Sequence, residues 1–192
     1  MSLLLETIKI EDGNIENLSY HQIRFNKSRR ELFNITDKTD LASFIKAPQK
    51  GLYRCRIVYN KEIHTVEYIP YIPKDIKKLK IVTSDINYNY KYTNRKELNT
   101  LLEKESGFDE IIIEKDGYLT DTTIANIAFY NGDKWFTPIQ TLLDGTMRAK
   151  LLDEGFLHLK DIKREDLKNY SQIALMNSMI GFKILNDFNI KQ

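Results

Sequence analysis

The architecture of this chain is best worked out from residues 117–126, which read Gly-Tyr-Leu-Thr-Asp-Thr-Thr-Ile-Ala-Asn. Asp116-Gly117 is a turn pair of the tightest β-hairpin kind, and the strand-like stretches 110–114 and 118–120 flank it. Asp121 therefore comes directly after a hairpin strand. An aspartate in that place usually caps a turn, and it can also accept a hydrogen bond from a ligand.

The rest of the second half is predicted to be strand-rich, with two helices. Further strands are expected at 79–83, 127–130, 134–137 and 173–176. Asn131-Gly132 indicates another tight hairpin turn. Asn94 with Glu97 predicts a capped helix, and a second helix is expected to begin at Gly145 and end at Gly155.

The first half is predicted to contain a strand, a turn, a second strand and a helix, followed by a second hairpin. Residues 3–10 alternate as a strand, and Asp12-Gly13 predicts the turn after it. Ser19 with Gln22 resembles a capping box, which predicts a helix through about Phe33. A hairpin is expected from strands at 52–59 and 62–69.

Two prolines mark the most linker-like segment. Pro70 and Pro73 come in close succession, and prolines remove backbone donors and favour extended conformations. We therefore predict an α+β protein with two mixed domains, a smaller one over residues 1–76 and a larger one over residues 77–192.

Composition limits the class of protein and its partners. The 29 lysines and arginines against 27 acids give a net charge of +2, so nucleic acid is not an expected partner. The single cysteine, Cys55, suits a reduced cytoplasmic setting, and no apolar run is long enough for a bilayer. His64 and His158 lack neighbours at metal-ligand spacing, so no metal site is predicted.

Three features carry chemistry when they are taken together. A lysine such as Lys91 can form a Schiff base if burial or nearby positive charge keeps its amine neutral part of the time. Asp121 can keep a pyridine nitrogen protonated, and a helix that opens at Gly145 can receive a phosphate. Each feature alone has a commoner structural role, since most lysines are simply exposed. In this order they indicate a site for pyridoxal 5'-phosphate (PLP).

Arginines provide candidate ligands for anions. Arg24 shares a face of the first helix with His21, and a guanidinium is a natural bidentate ligand of phosphate. Arg54 and Arg56 share one face of a strand, where they either meet a substrate carboxylate or face water.

Taken together, these segments resemble the class IV aminotransferase family, the fold-type-IV PLP enzymes that include aminotransferases and aminodeoxychorismate lyases. The similarity runs through most of the chain, over Leu5-Glu6-Thr7-Ile8, His21 to Phe25, Lys91, Gly117 to Asn126, Leu143 to Arg148 and Met176-Asn177-Ser178. It implies the D-amino-acid aminotransferase-like fold, with PLP in the cleft between two α+β domains and a homodimer completing each pocket.

The resemblance implies a role for each matching position. Lys91 takes the place of the Schiff-base lysine, and Asp121 that of the acid on the pyridine nitrogen. The other implied cofactor ligands are Arg24, Asn126, Gly145, Thr146, Met147 and Ser178. The expected ligands of a small-molecule substrate are Arg54, Arg56, Arg95 and Asn177.

Three departures from the family pattern bear on the function. The chain begins almost at the Glu-Thr strand, so part of the substrate pocket is expected to be open or rebuilt. Asp121 replaces the usual glutamate, so the shorter side chain must approach the ring more closely or use water. Branched-chain aminotransferases carry a tyrosine where this chain has Lys96, and the Lys91-x-x-Asn94-Arg95 arrangement looks more like that of the lyases.

Three functions are therefore considered. The preferred one is an aminodeoxychorismate lyase, which gives 4-aminobenzoate and pyruvate for folate synthesis, with Lys91 removing the substrate proton. The second is a D-amino-acid or branched-chain aminotransferase that uses the same lysine. The third is a non-catalytic relic that binds an anionic ligand.

Overall fold

The computed structural model describes residues 2–186 and 188–191, which form two compact units. The first unit contains the chain up to Pro73 and also Tyr90–Asn94, and the second contains Lys74–Asn89 and the chain from Arg95 onward. The predicted division at residue 76 lies close to this one, but the prediction assigned residues 90–94 to the second domain. They group with the first unit because their backbone pairs with its first strand, where Leu5 N–H donates to Lys91 O at 2.8 Å.

The first unit is built on an antiparallel sheet of order β2-β1-β3-β4. Its elements are β1 (Leu4–Glu11), β2 (Asn14–Ile15), α1 (Leu18–Phe33), a 3-10 helix (Leu41–Phe44), β3 (Leu52–Tyr59) and β4 (Ile63–Pro70). Alternate apolar residues of β1 and β3 pack against Phe25 of α1, and Cys55 is buried among them. Pro70 is tolerated as the last residue of β4 because β4 is an edge strand.

The second unit is built on a larger mixed sheet. Its elements are β5 (Lys78–Thr83), α2 (Lys96–Glu103), β6 (Glu110–Lys115), β7 (Tyr118–Thr122), β8 (Asn126–Tyr130), β9 (Trp135–Pro138), α3 (Thr146–Asp153), β10 (Leu157–Lys160), a 3-10 helix (Arg164–Asn169), β11 (Gln172–Asn177), β12 (Gly181–Ile184) and β13 (Asn189–Lys191). The strand order is β10-β9-β8-β7-β6-β5-β13, and β11 pairs with both β8 and β12. Strand β5 runs parallel to β6 and β13, and β9 runs parallel to β10.

The predicted α+β class and the predicted tight turn between β6 and β7 are confirmed. Asp116 and Gly117 both have positive φ, 52° and 82°, as the tightest hairpin turns require. In the part of the chain that the structure describes, no helix has the length and apolar character needed to cross a membrane.

The two capping predictions are wrong. Ser19 lies inside α1, whose N-cap is Asn17 in the left-handed conformation that asparagine tolerates, with φ 58°. The Gln22 side chain accepts a hydrogen bond from Leu41 N–H at 2.7 Å and donates to Asn26 Oδ1 at 2.9 Å, so it does not cap the start of the helix. Helix α2 has Arg95 at its N-cap, without a side-chain cap.

Candidate active site

In the first unit, a buried carboxylate on β1 binds two basic side chains of α1. Glu6 lies between Leu4 and Ile8 on the inner face of β1 and is fully buried. Its Oε1 accepts from Arg24 Nε at 3.0 Å, and its Oε2 accepts from Arg24 Nη2 at 2.6 Å. His21 Nδ1 lies 2.6 Å from the same Oε2. The three residues form what we call the Glu6 group.

Opposite charge keeps Glu6 ionised in spite of its burial. Burial alone would raise the pKa of this carboxyl, but the Arg24 guanidinium and the His21 hydrogen bond lower it to about 2. Burial lowers the pKa of His21, against the opposing effect of Glu6, so the imidazole is neutral at pH 7 and donates to the carboxylate. Tyr59 O–H adds a longer hydrogen bond to Glu6 Oε1, at 3.5 Å.

Lys91 lies on the returning segment Tyr90–Asn94 beside β1. Leu5 N–H donates to Lys91 O at 2.8 Å, and Thr93 N–H donates to Leu3 O at 3.0 Å, so the Lys91 backbone is held next to the strand that carries Glu6. The Lys91 side chain is partly buried. Its positive charge contributes to the lowered pKa of His21. The structure thus brings Lys91 within electrostatic range of the Glu6 group.

In the second unit, Asp121 and Asn126 form a buried pair. The two residues are opposite each other in the β7–β8 register, and Asn126 Nδ2 donates to Asp121 Oδ1 at 2.7 Å. Asp121 Oδ2 accepts from Leu142 N–H at 2.9 Å and from Leu143 N–H at 3.0 Å. Burial raises the pKa of Asp121 to about 7, although these hydrogen bonds and the charge of Arg148 oppose it.

Gly145 lies directly against Asn126. Asn126 Nδ2 also donates to Leu143 O at 2.9 Å, which fixes the amide close to Gly145. A Cβ at Gly145 would lie 1.8 Å from Asn126 Oδ1, so glycine is required here by space. Helix α3 begins at the next residue, Thr146, with no side-chain cap and no acid in its first turn. Helix N-terminal amides have no intrahelical acceptor, so the first turn, which includes Met147, is suited to an anion.

Arg95 and Asn177, two of the predicted substrate ligands, bind one backbone turn. Arg95 Nη2 donates to Thr123 O at 2.6 Å, and Asn177 Nδ2 donates to Ile124 O at 3.2 Å. Ser178, a predicted phosphate ligand, follows Asn177 at the end of β11 and is partly buried. These contacts bring Arg95 and Asn177 to the turn that joins β7 to β8.

Arg54 and Arg56, the other two predicted substrate ligands, lie on the opposite face of the first sheet from Glu6, by the alternation of β3. Arg56 Nη1 donates to Glu67 at 2.8 Å. Arg54 lies over the Tyr71 ring, 5.0 Å from its centroid. Its buried Nε has no hydrogen-bond partner among the described residues.

The buried charged residues Glu6, Glu110 and Arg148 have no predicted role in the site. Glu6 gives a detectable sequence signal, because an acid at a core-facing position of an alternating strand needs a partner. Glu110, the first residue of β6, is 1% exposed. The residues that follow it in β6 are apolar and buried on both faces of the strand, so no alternation of polar and apolar residues indicates that Glu110 is buried. Arg148 of α3 donates to Pro138 O at 2.7 Å. Arginines on helices usually face solvent, so its burial could not be read from the sequence.

Comparison with known proteins places these residues in a family context. The family model described as amino-transferase class IV matches residues 3–184. An uncharacterized protein of Haemophilus influenzae is 40% identical over 184 residues, 93% of this chain and 98% of that protein. A crystal structure from Haemophilus somnus, provisionally described as a 4-amino-4-deoxychorismate lyase, is 38% identical with a TM-score of 0.87, covering 94% of this chain and 98% of that one. A hypothetical aminotransferase of Mycobacterium tuberculosis in its PLP-bound form shares the fold, at 16% identity and a TM-score of 0.80, covering 98% and 81% of the two chains.

Proposed function

This chain belongs to the class IV aminotransferase family, and from that premise we propose that it is an aminodeoxychorismate lyase that releases 4-aminobenzoate and pyruvate. Its family makes it a PLP-dependent enzyme. The observation that carries the proposal is the buried Asp121–Asn126 pair beside Gly145 at the start of α3. The Lys91-x-x-Asn94-Arg95 arrangement and the similarity to the Haemophilus somnus protein support a lyase.

Each unit, taken by itself, carries residues that suit part of PLP: an amine and a guanidinium in the first unit, and an acid and a helix N-terminus in the second. A buried acid beside a helix N-terminus matches a ring nitrogen and a phosphate, and Gly145 leaves room for the Asn126 amide that binds this acid. When bound, PLP supplies an aldehyde that reacts with amines and a ring that withdraws electrons from the reacting carbon. We assign its binding to Arg24, Lys91, Asp121, Asn126, Gly145, Thr146, Met147 and Ser178.

Lys91 provides the amine that binds the cofactor and the base that moves the proton. Because Leu5 N–H holds the Lys91 carbonyl, Nζ moves from a fixed backbone position. With substrate bound, the same Nζ would be the base that removes the proton from the substrate carbon that bears the nitrogen. Loss of this proton and cleavage of the bond between the neighbouring ring carbon and the enolpyruvyl oxygen would make the carbocycle aromatic. The departing enolpyruvate would take up a proton to become pyruvate, so no second amino acceptor is needed.

Arg24 is proposed to bind the cofactor phosphate. Glu6 engages the guanidinium through both Nε and Nη2, which fixes the plane of the group. A planar guanidinium that is held in this way is suited to a phosphate, whose oxygens accept parallel hydrogen bonds. Glu6 and His21 therefore act on the cofactor through Arg24.

Asp121 is proposed to accept a hydrogen bond from the protonated ring nitrogen. The side-chain and backbone donors around this carboxyl are neutral, and its pKa of about 7 means that they do not keep it fully ionised near neutral pH. A cationic nitrogen beside it would favour the ionised form, and the ionised form would in turn keep the nitrogen protonated.

We propose that Arg54, rather than Arg56, Arg95 or Asn177, binds the substrate carboxylate. Its Nε is buried without a partner, whereas Arg56 already pairs with Glu67. A guanidinium with an unused buried donor gains more from a carboxylate than one that is already neutralised. Arg56, Arg95 and Asn177 remain predicted substrate ligands of lower rank.

The test is product release by the purified, PLP-loaded protein. We expect pyruvate and 4-aminobenzoate in equal amounts from aminodeoxychorismate, and a visible absorption band that Lys91→Ala abolishes. Turnover in Lys91→Ala should fall by at least about 10²-fold, the lower end of what a positioned acid or base contributes. Lys134→Ala, at an exposed lysine, is the matched control and should behave as the unmodified protein. Absence of both products would overturn the lyase proposal.

An aminotransferase is the second candidate, because the family description itself names that activity. It predicts that a D-amino acid or a branched-chain amino acid converts the bound cofactor to pyridoxamine phosphate without net release of 4-aminobenzoate. A panel of amino acids, followed by absorbance, separates the two candidates. Failure of both reactions with PLP bound would leave the non-catalytic relic.

We further propose, from the same resemblance, a homodimer in the cytoplasm. The chain has a mass of 22.6 kDa. Light scattering after size-exclusion chromatography should therefore give about twice that mass, and a mass equal to one chain would contradict the dimer.

A further inference from the structure

The turn between β7 and β8 sets the positions of Asp121 and Asn126. Thr122 N–H donates to Ala125 O at 2.8 Å, and Ala125 N–H donates to Thr122 Oγ1 at 3.0 Å. The turn is thus closed on itself, with the two functional side chains at its two ends. Any movement of the turn changes the distance between those side chains.

Glu110 holds this turn from β6. Its Oε1 accepts from Thr123 N–H at 3.2 Å, and its Oε2 accepts from Thr123 Oγ1 at 2.9 Å. A third donor, Ile111 N–H, lies 2.9 Å from Oε1. All three donors are neutral, and burial raises the pKa of this carboxyl against their effect. Burying a carboxylate among neutral groups is costly, and the two Thr123 donors offset part of that cost while they fix the position of the turn.

Two further side chains hold the same turn through its carbonyls. Arg95, at the N-cap of α2, donates to Thr123 O, and Asn177, at the end of β11, donates to Ile124 O. The Glu110 carboxylate therefore accepts hydrogen bonds from the Thr123 amide and hydroxyl, and the Arg95 guanidinium donates to the Thr123 carbonyl. We call the contacts of Glu110, Arg95 and Asn177 with the turn the Thr123 clamp.

We propose that Glu110 and Arg95 are positioning residues, which keep Asp121 and Asn126 aligned for the cofactor through the Thr123 clamp. The inference rests on the proposed role of Asp121 in binding PLP. It assigns Arg95 a role other than substrate binding. It also assigns a role to the buried Glu110, which takes no part in the proposed reaction.

A matched pair of threonine substitutions tests the clamp. Thr123→Val removes the hydroxyl that donates a hydrogen bond to Glu110, and it keeps the shape of the side chain. Thr120→Val, on strand β7 just before the turn, removes a similarly buried hydroxyl that donates to Ile113 O at 2.8 Å, outside the clamp. Both variants should lower the stability of the PLP-free protein by similar amounts. Only Thr123→Val should weaken PLP binding, by at least about tenfold, as for a lost hydrogen bond to a charged group.

Thr123→Ser is the conservative control for Thr123→Val, and the affinity for PLP is the quantity measured. PLP affinity is measured by titration of the visible absorption and circular dichroism of the bound cofactor. Thr123→Ser keeps the hydroxyl and should restore the affinity to within about twofold of the unmodified protein. If Thr123→Val binds PLP as well as Thr120→Val does, the clamp is refuted while the proposed function stands. If the unmodified protein binds no PLP, the proposed function itself fails.

Arg95→Met separates the two roles considered for Arg95. A clamp residue predicts a loss of PLP affinity of about tenfold, with a changed circular dichroism of the bound cofactor. A residue that binds only the substrate carboxylate predicts a higher KM at unchanged PLP affinity, and this result would overturn the positioning role.

Discussion

Glu6 and Asp121 are both buried carboxylates, yet their pKa values move in opposite directions. Glu6 binds a guanidinium and an imidazole, and its pKa falls to about 2. Asp121 accepts hydrogen bonds from an amide side chain and two backbone amides, and its pKa rises to about 7. Burial is the largest single influence on each, so the charge of the neighbours decides the outcome. Glu6 is in contact with the Arg24 guanidinium, whereas among the described residues no cation contacts Asp121.

The largest effect is expected from Glu6→Gln in the PLP-free protein. Removing one partner of a buried ion pair leaves Arg24 uncompensated, so the free energy of unfolding should fall by roughly 3–5 kcal/mol at pH 7. Since the folded pKa of Glu6 is below its ordinary value of 4.5, this stabilisation is present above pH 4.5 and is lost as the pH falls toward about 2. Urea unfolding at several pH values measures both effects.

Glu11→Gln on the same strand is the control for Glu6. Glu11 pairs with Lys9 at 2.6 Å, but its side chain is 49% exposed. Exposed pairs contribute only about 0–1 kcal/mol. Equal losses in the two variants would contradict the special position of Glu6.

The second effect is a change in the pH dependence of stability in Asp121→Asn. The folded carboxyl binds more protons than the unfolded one between pH 3.8 and about 7, so its contribution to stability decreases as the pH rises through that range. The asparagine does not titrate. As the pH rises from 5 to 7, the free energy of unfolding of the variant should therefore increase by roughly 2 kcal/mol relative to that of the unmodified protein, because the slope of about 1.4 kcal/mol per pH unit falls by half as the pH reaches the folded pKa. Asp116→Asn, at an exposed turn position, should keep the original slope, and an unchanged slope in Asp121→Asn would refute the raised pKa.

The third effect concerns the space beside Asp121. Gly145→Ala places a Cβ against Asn126 Oδ1, so the amide must leave its bonds to Asp121 and Leu143. We expect a loss of about 1–3 kcal/mol, typical of overpacking, and weaker PLP binding. Combining Gly145→Ala with Asn126→Ala removes the clash, so the two losses should not add. Additive losses would show that the Asn126 side chain is not what requires glycine.

The smallest effect is expected from Tyr59→Phe, which tests how much the Tyr59 hydroxyl contributes to the stability of the Glu6 group. The Tyr59 O–H lies 3.5 Å from Glu6 Oε1, a long hydrogen bond, and the ring would still pack 4.6 Å from Phe25. A loss of about 0.5–1.5 kcal/mol is expected in urea unfolding. A loss as large as that of Glu6→Gln would mean that the hydroxyl, and not the guanidinium, dominates the Glu6 group.

The sequence predicts what is encoded locally in this chain and misses what depends on distant contacts. The Asp116-Gly117 turn needs only two residues with positive φ, so the hairpin that precedes Asp121 follows from adjacent positions. The α+β class follows in the same way from periodicity. The clash that makes glycine necessary at position 145 comes from the Asn126 side chain. The partner of Glu110 is Thr123, which lies in the turn between β7 and β8. Neither contact has a local pattern, so both appear only once the strands are paired.

The segment Tyr90–Asn94 makes the first unit discontinuous in sequence, and this has a consequence for dissecting the protein. A fragment that ends at Pro73 contains every strand of the first sheet and the whole Glu6 group. It lacks the lysine, and it leaves the Leu5 amide without the carbonyl that it binds in the full chain. An exchange of gene segments between relatives at the proline linker would therefore combine strand β1 of one parent with the lysine-bearing segment of the other.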